Sequence, residues 1–241
     1  QGHFLRPQRI RRCHLGCLGF GLGVVTPSFA TAITRVPLLY QFPTALQRLY
    51  SGVEWRISPS SKVVYLTFDD GPVPECTPEV LDILADYHVQ ATFFMVGENA
   101  FRYPELVARV RAEGHAVGNH TYHHLKGFRF STGTYLKNIA QADKILHTRL
   151  FRPPYGRMHY AEKRALLDAG YRICLWDVLT HDYNPSYSPE RMLSVIRHYT
   201  RRGSIINFHD SVKSRDRLLK VLPPAIEWLL NEGYQCLPIP Q

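Results

Sequence analysis

The sequence predicts an α/β fold in which seven parallel strands alternate with six helices, closed as a barrel or laid out as an open sheet. Three observations carry this. Short apolar, β-branched and aromatic runs recur at 63–68, 91–96, 116–118, 150–152, 171–177, 204–208 and 234–237. Helical patterns fill the gaps at 78–87, 99–112, 132–146, 160–169, 189–201 and 218–232. Gly114, Gly170, Gly203 and Gly233 stand just past four of these helices, where a left-handed residue closes the last turn. Alternation of this kind builds parallel sheets, because the crossover between parallel strands is a helix.

Ahead of the strands, residues 1–33 read as a leader. Arg6, Arg9, Arg11 and Arg12 precede an uncharged run over 15–25, and Ala30-Thr31-Ala32 follows. A charged start, a short apolar stretch and small residues are the marks of a secretory signal. Gly16, Gly19, Gly21 and Gly23 weaken that stretch. It is also too short to span a bilayer. The same residues equally suit a disordered extension. A secreted, periplasmic or cell-envelope location follows from the first reading and a cytoplasmic one from the second. Residues 34–57, with Pro37, Leu38, Leu39, Tyr40, Phe42 and Trp55, are expected to cover one end of the domain. Residues 58–241 are the domain itself.

Composition narrows the classes. The chain is 45% hydrophobic and 20% charged, as a folded globular protein is. Its net charge of +9 is uneven: residues 1–53 hold six arginines and no acid. Beyond them 23 bases face all 20 acids, so the domain is only mildly basic and nucleic acid is not an implied partner. Five cysteines, an odd number without a repeating pattern, argue against a disulfide framework. Cys13-His14 with Cys17 offers only three metal ligands in the leader and reads as coincidence.

The polar residues that carry chemistry all follow strands. Thr67-Phe68-Asp69-Asp70-Gly71-Pro72 ends the first, and His120-Thr121-Tyr122-His123-His124 follows the third. Arg152-Pro153-Pro154-Tyr155-Gly156 follows the fourth, Asp177 and Asp182 the fifth, and His209-Asp210 the sixth. In a β/α barrel those strand ends carry the active site. The adjacent carboxylates Asp69 and Asp70 suit either a polar strand end before a turn or a divalent-cation site. A cation would bind one carboxylate and leave the other free as a base. His120 and His124, four apart, meet on one face of a helical turn, as a metal requires, with His123 the alternative partner. Two histidines and one carboxylate leave coordination positions open for water and substrate. No Gly-rich phosphate loop occurs, which argues against phosphoryl transfer.

Over residues 58–238 these motifs resemble the polysaccharide deacetylases with the NodB homology domain, carbohydrate esterase family 4. The family's TFDDGP motif is matched at 67–72, H-[ST]-x-x-H at 120–124 and R-x-P-Y at 152–155. Its D-x-x-D-W motif falls on Leu179-Thr180-His181-Asp182-Tyr183, keeping only the second Asp, and L-x-H falls on Asn207-Phe208-His209, keeping only the His. With the resemblance the fold resolves to a single distorted (β/α)7 barrel of parallel strands with an N-terminal extension. It implies a divalent metal, zinc first and Co2+, Ni2+ or Mn2+ as alternatives, held by Asp70, His120 and His124. Asp69 would be the general base, charge-compensated by Arg152, and His209 the acid, oriented by Asp182. The backbone N–H of Tyr155 would receive the oxyanion. Tyr155, Pro154, Trp176, Tyr183 and Asn207 would contact substrate, Asn207 standing where the family's Leu receives the acetyl methyl. Among Tyr122, Phe128, Phe130, Tyr155, Trp176, Tyr183 and Tyr187, some would stack on sugar rings and the others anchor loops. The implied reaction is hydrolysis of N-acetyl groups on a chitin-like or peptidoglycan glycan. An O-acetyl esterase, or a carbohydrate-binding protein that keeps the metal site without turnover, are the alternatives.

Overall fold

The structure, a computed structural model, describes residues 40–58 and 60–241. The expectations for the leader, Cys13 and Cys17 lie outside the described residues. The strands are β1 (Val53–Glu54), β2 (Val63–Asp69), β3 (Thr92–Met95), β4 (Ala116–Asn119), β5 (Leu150–Phe151), β6 (Arg172–Cys174), β7 (Val178–Leu179), β8 (Ile205–His209) and β9 (Gln235–Cys236). The helices are α1 (Thr44–Leu49), α2 (Thr77–Asp86), α3 (Gly97–Arg102), α4 (Pro104–Ala112), α5 (Thr132–Leu146), α6 (Tyr160–Asp168), α7 (Pro189–Tyr199) and α8 (Arg215–Asn231).

All seven residues of β2 are buried, which explains its unbroken apolar run: the strand is flanked by parallel β3 and β8 and covered on both faces. Val64, Leu66 and Phe68 turn outward against buried residues of α2, α7 and α8. Val63 and Tyr65 turn the other way, to pack with Phe94, Cys174 and Ile205. Hydrogen-bonded order runs β1-β6-β5-β4-β3-β2-β8-β7, with β9 on the first residues of β2. The sheet curls until a single bent run, 172–179, serves both ends: as β6 it pairs with β5, and as β7 it pairs with β8. The fifth strand of the sequence reading, 171–177, covers β6 and stops one residue short of β7, because no straight strand meets both neighbours.

Two helices depart from expectation. The pattern over 99–112 divides into α3 and α4 because Pro104 cannot continue a helix, and Tyr103 between them has an extended φ of −128°. An unforeseen α1 and β1 occupy the described part of the segment 34–57. β1 pairs with β6, and the Tyr40 carbonyl accepts from the Leu179 N–H at 2.8 Å, so 40–57 lies along the bent run 172–179. Cys76, Cys174 and Cys236 are free thiols in the interior.

Candidate functional site

Inside the barrel, alternation along the strands sets a polar layer above the apolar floor. Thr67 and Asn207 are register partners, as are Asp69 and His209. Arg152, fully buried, enters this layer from the end of β5. Its guanidinium donates to Thr67 Oγ1 (2.8 Å), Asp69 Oδ1 (2.7 Å), and the carbonyls of Cys174 (3.1 Å) and Leu175 (3.0 Å). It also lies 4.1 Å from the centroid of the Phe94 ring. Such a charge is tolerable in the interior only because every arm is used. The second oxygen of Asp69 accepts from Asn207 Nδ2 at 2.7 Å.

After β2 the chain turns sharply. Asp70 takes a left-handed φ of 79°, and a cis Gly71–Pro72 bond follows. At Gly71 a Cβ would lie 2.0 Å from Asp210 Oδ2, so only glycine fits. Asp210 accepts from the Gly71 N–H (3.1 Å) and the Thr77 hydroxyl (2.6 Å) and so fastens this turn to the residue after β8. Its burial, opposed by those two bonds, pushes its carboxyl up to about 8.

Asp70 Oδ1 stands 3.1 Å from His124 Nε2 and 3.7 Å from His120 Nε2. One ligand atom from each of the three lies within 4.8 Å of the others, and among the described residues no other group of His, Cys, Asp or Glu could hold a metal ion in this way. No helical turn makes the spacing work. Thr121 and His124 have left-handed φ values of 64° and 53°, and a loop brings the rings to a centroid distance of 5.1 Å. His123 is turned away, its Nδ1 2.9 Å from Asn138 Nδ2. His120 Nδ1 faces the Arg152 carbonyl at 2.8 Å, an acceptor only, so Nδ1 carries the proton and Nε2 offers its lone pair toward Asp70. Burial holds His120 down at about 4, which keeps that lone pair free. Burial would raise Asp70, but the His124 hydrogen bond and the fields of His209, His120 and His124 hold its carboxyl well below the usual carboxylate range. One carboxylate and two imidazoles is a donor set that fits a divalent cation.

On the far side, His209 Nδ1 lies 2.8 Å from Asp182 Oδ1, and the His209 N–H donates to Asp182 Oδ2 at 2.7 Å. Burial works against the imidazolium, but the Asp182 charge and hydrogen bond outweigh it and carry His209 up to about 9. The Tyr183 ring meets His209 edge-on at 5.0 Å. Tyr155 sits in a short turn with a left-handed φ of 61°, its ring 4.9 Å from that of His124. Among the described residues its N–H has no hydrogen-bond acceptor. The cleft over these groups has a volume of about 640 Å³. Asp69, Asp70, His120, His124 and His209 line it together with Pro154, Tyr155, Trp176, Leu179 and Tyr183.

A model of the polysaccharide deacetylase family matches residues 56–174. A peptidoglycan-N-acetylglucosamine deacetylase of Bacillus cereus is 34% identical over 191 residues, covering 76% of this chain and 89% of the relative. The chain belongs to the polysaccharide deacetylase family. A chitooligosaccharide deacetylase of Bradyrhizobium is 32% identical over 216 residues, covering 82% and 95% of the two chains. Among solved structures, a peptidoglycan N-acetylglucosamine deacetylase superposes with a TM-score of 0.77 at 29% identity, over 82% of this chain and 96% of that one.

Set beside the family's motifs, the site corrects two sequence expectations. Asn207 does not line the cleft; it is fully buried beside Asp69, because β8 alternates and Asn207 lies one layer below His209. Leu179, at the position of the family's missing first Asp, lines the cleft with Trp176. Asp177 does not reach the strand ends that form the site. Its N–H donates to Ile205 at the start of β8, and its carboxylate pairs with Arg201 (2.6 and 2.9 Å) and Ser204 (2.7 Å). The bend in 172–179 puts Asp177 and Asp182 at different heights. Of the aromatic candidates, Phe128, Tyr155, Trp176 and Tyr183 line the cleft, whereas Tyr187 is buried against Tyr40. Sequence reasoning missed Lys126, Arg129, Arg157 and Lys213 on the cleft wall. The alternation Lys126-Gly127-Phe128-Arg129-Phe130 directly after the histidine motif was the available signal.

Proposed function

We propose that this protein is a metal-dependent deacetylase that hydrolyses N-acetyl groups on an amino-sugar glycan, chitin-like or peptidoglycan, releasing acetate and a free amine. The observation that carries the reading is one cleft lined by the buried carboxylate Asp69, by Asp70, His120 and His124, a set able to hold a metal ion, and by His209, oriented by Asp182. The names of the relatives above support the substrate class. Asp70, His120 and His124 would hold the ion, zinc being the first choice for two imidazoles and a carboxylate. A bound divalent cation supplies Lewis-acid polarisation and makes water acidic enough to ionise near neutral pH.

The rest of the chemistry falls to the chain's own side chains. Asp69, held by Arg152 and Asn207 with its carboxylate facing the cleft, takes a proton from the attacking water. Arg152 places its guanidinium charge 2.7 Å from Asp69 Oδ1 and orients the base. As the carbonyl carbon becomes tetrahedral, the free N–H of Tyr155 donates to the developing oxyanion. His209 gives its proton to the departing amine, and Asp182 keeps its ring oriented with the proton available. Leu179 and Trp176 offer the apolar surface for the acetyl methyl. Acetate release from N-acetylglucosamine oligomers tests the reading: activity abolished by chelator and restored by zinc supports it, and no release under any metal supplement refutes it.

A further inference from the structure

The cleft wall carries four long basic side chains, Lys126, Arg129, Arg157 and Lys213. All four are exposed, and among the described residues none pairs with an acid. Arg102, Arg109, Arg149, Arg172, Arg201 and Arg215 each do. Among the described residues the only carboxylates lining the cleft are Asp69 and Asp70, and these already face Arg152 and the two histidines. Four cations thus face the cleft with no acid of their own on its lining, although the domain beyond residue 53 has an excess of only three positive charges. A cleft lined by one sign of charge focuses its field on whatever enters.

Two of these side chains are placed in matching ways. Lys126 Nζ lies 4.4 Å from the Tyr155 ring centroid, and that ring abuts His124. Lys213 Nζ lies 5.8 Å from the Tyr183 ring centroid, and that ring abuts His209. Each flank of the site therefore runs histidine, tyrosine, lysine outward. The loop behind the first flank is fitted closely, since a Cβ at Gly127 would fall 2.9 Å from Glu162 Oε2 and 3.1 Å from the Arg157 carbonyl. A sugar chain laid along the cleft past the two tyrosines would meet the ammonium group that lies over each ring.

We propose that the cleft takes an anionic glycan, in which sugars flanking the acetylated one carry carboxylate or phosphate groups, in preference to a neutral chitin-like chain. The inference rests on the deacetylase reading. A neutral chain would leave all four cations without an anionic partner.

The test compares N-acetylglucosamine oligomers of equal length whose alternate sugars carry an O-lactyl carboxylate, the corresponding amide, or a 6-O-phosphate. At low salt the zinc-loaded enzyme should favour the carboxylate form over its amide by on the order of tenfold in kcat/KM, mostly through KM. That is the product of two exposed ion pairs worth a few-fold each. The preference should fade near 1 M salt, where the screening length is ~3 Å. Lys126→Gln and Lys213→Gln should each cut the acid-to-amide ratio by roughly two- to fivefold. The phosphate arm shows which anion is preferred. Equal kcat/KM for acid and amide, or a preference that ignores salt, overturns the inference and leaves the deacetylase reading standing. No acetate from any oligomer overturns that reading instead.

Discussion

Replacing Asn207 by Leu restores the residue of the family motif, and the structure makes it a damaging change. Were Asn207 to face the acetyl group, Leu would improve the apolar pocket and raise kcat/KM a few-fold. Among the described residues Asn207 is one of two side chains that donate to Asp69, the other being Arg152. A hydrogen bond to a charged group contributes ~1.5–3 kcal/mol. If the bond matters in full to the base, its loss lowers kcat by roughly 10- to 150-fold, a tenfold change being about 1.4 kcal/mol. Stability should move the other way or stay level. Asn207 Oδ1 is buried with no partner among the described residues. An unmatched buried polar atom costs ~1–3 kcal/mol, and Leu, of similar size, removes it together with the bond. The assay pairs kcat on N-acetylglucosamine oligomers with thermal unfolding of the zinc-loaded protein. A slow enzyme of unchanged or higher Tm is the expected outcome. An unchanged or faster enzyme would refute the reasoning, and Asp69→Asn run beside it would show whether the fault lies in Asn207 or in the choice of base.

Three further expectations follow from the geometry. His124→Ala should abolish zinc binding in calorimetry while His123→Ala keeps it, because His123 is turned toward Asn138; the reverse pattern would overturn the ligand set. In the metal-free protein His209 is raised from about 6.5 to about 9 by Asp182, so the stability it lends is full below pH 6.5 and lost as pH climbs through 9. Denaturant titrations should show that loss in the native chain and a flatter profile over the same window in Asp182→Asn. Gly71→Ala should destabilise the protein and reduce activity together, since its Cβ would fall 2.0 Å from Asp210 Oδ2; a variant with native Tm would show that the turn can give way.

Much of this site was legible along the chain because its residues obey local rules. Strand ends mark themselves by where an apolar run stops, so Asp69, Asp70, His120, Arg152 and His209 could be placed at one rim before any coordinates. The fifth run hid its bend, since pairing with β5 at one end and β8 at the other is a property of the closed sheet and leaves no mark on 171–177. For that reason Asp177 was placed at the wrong height. The histidine pair reads as a helical turn by spacing alone, yet positive φ at Thr121 and His124 brings it together, and histidine can take that conformation without announcing it. Asn207 shows the limit most sharply. As a letter in a motif it is a departure that weakens the match; in register opposite Thr67 it becomes the second donor to Asp69. A motif counts residues along one strand, whereas Asp69 is held by side chains from β5 and β8. The substitution that looks like a loss in the pattern is, in the interior, another hydrogen bond on the carboxylate proposed as the base.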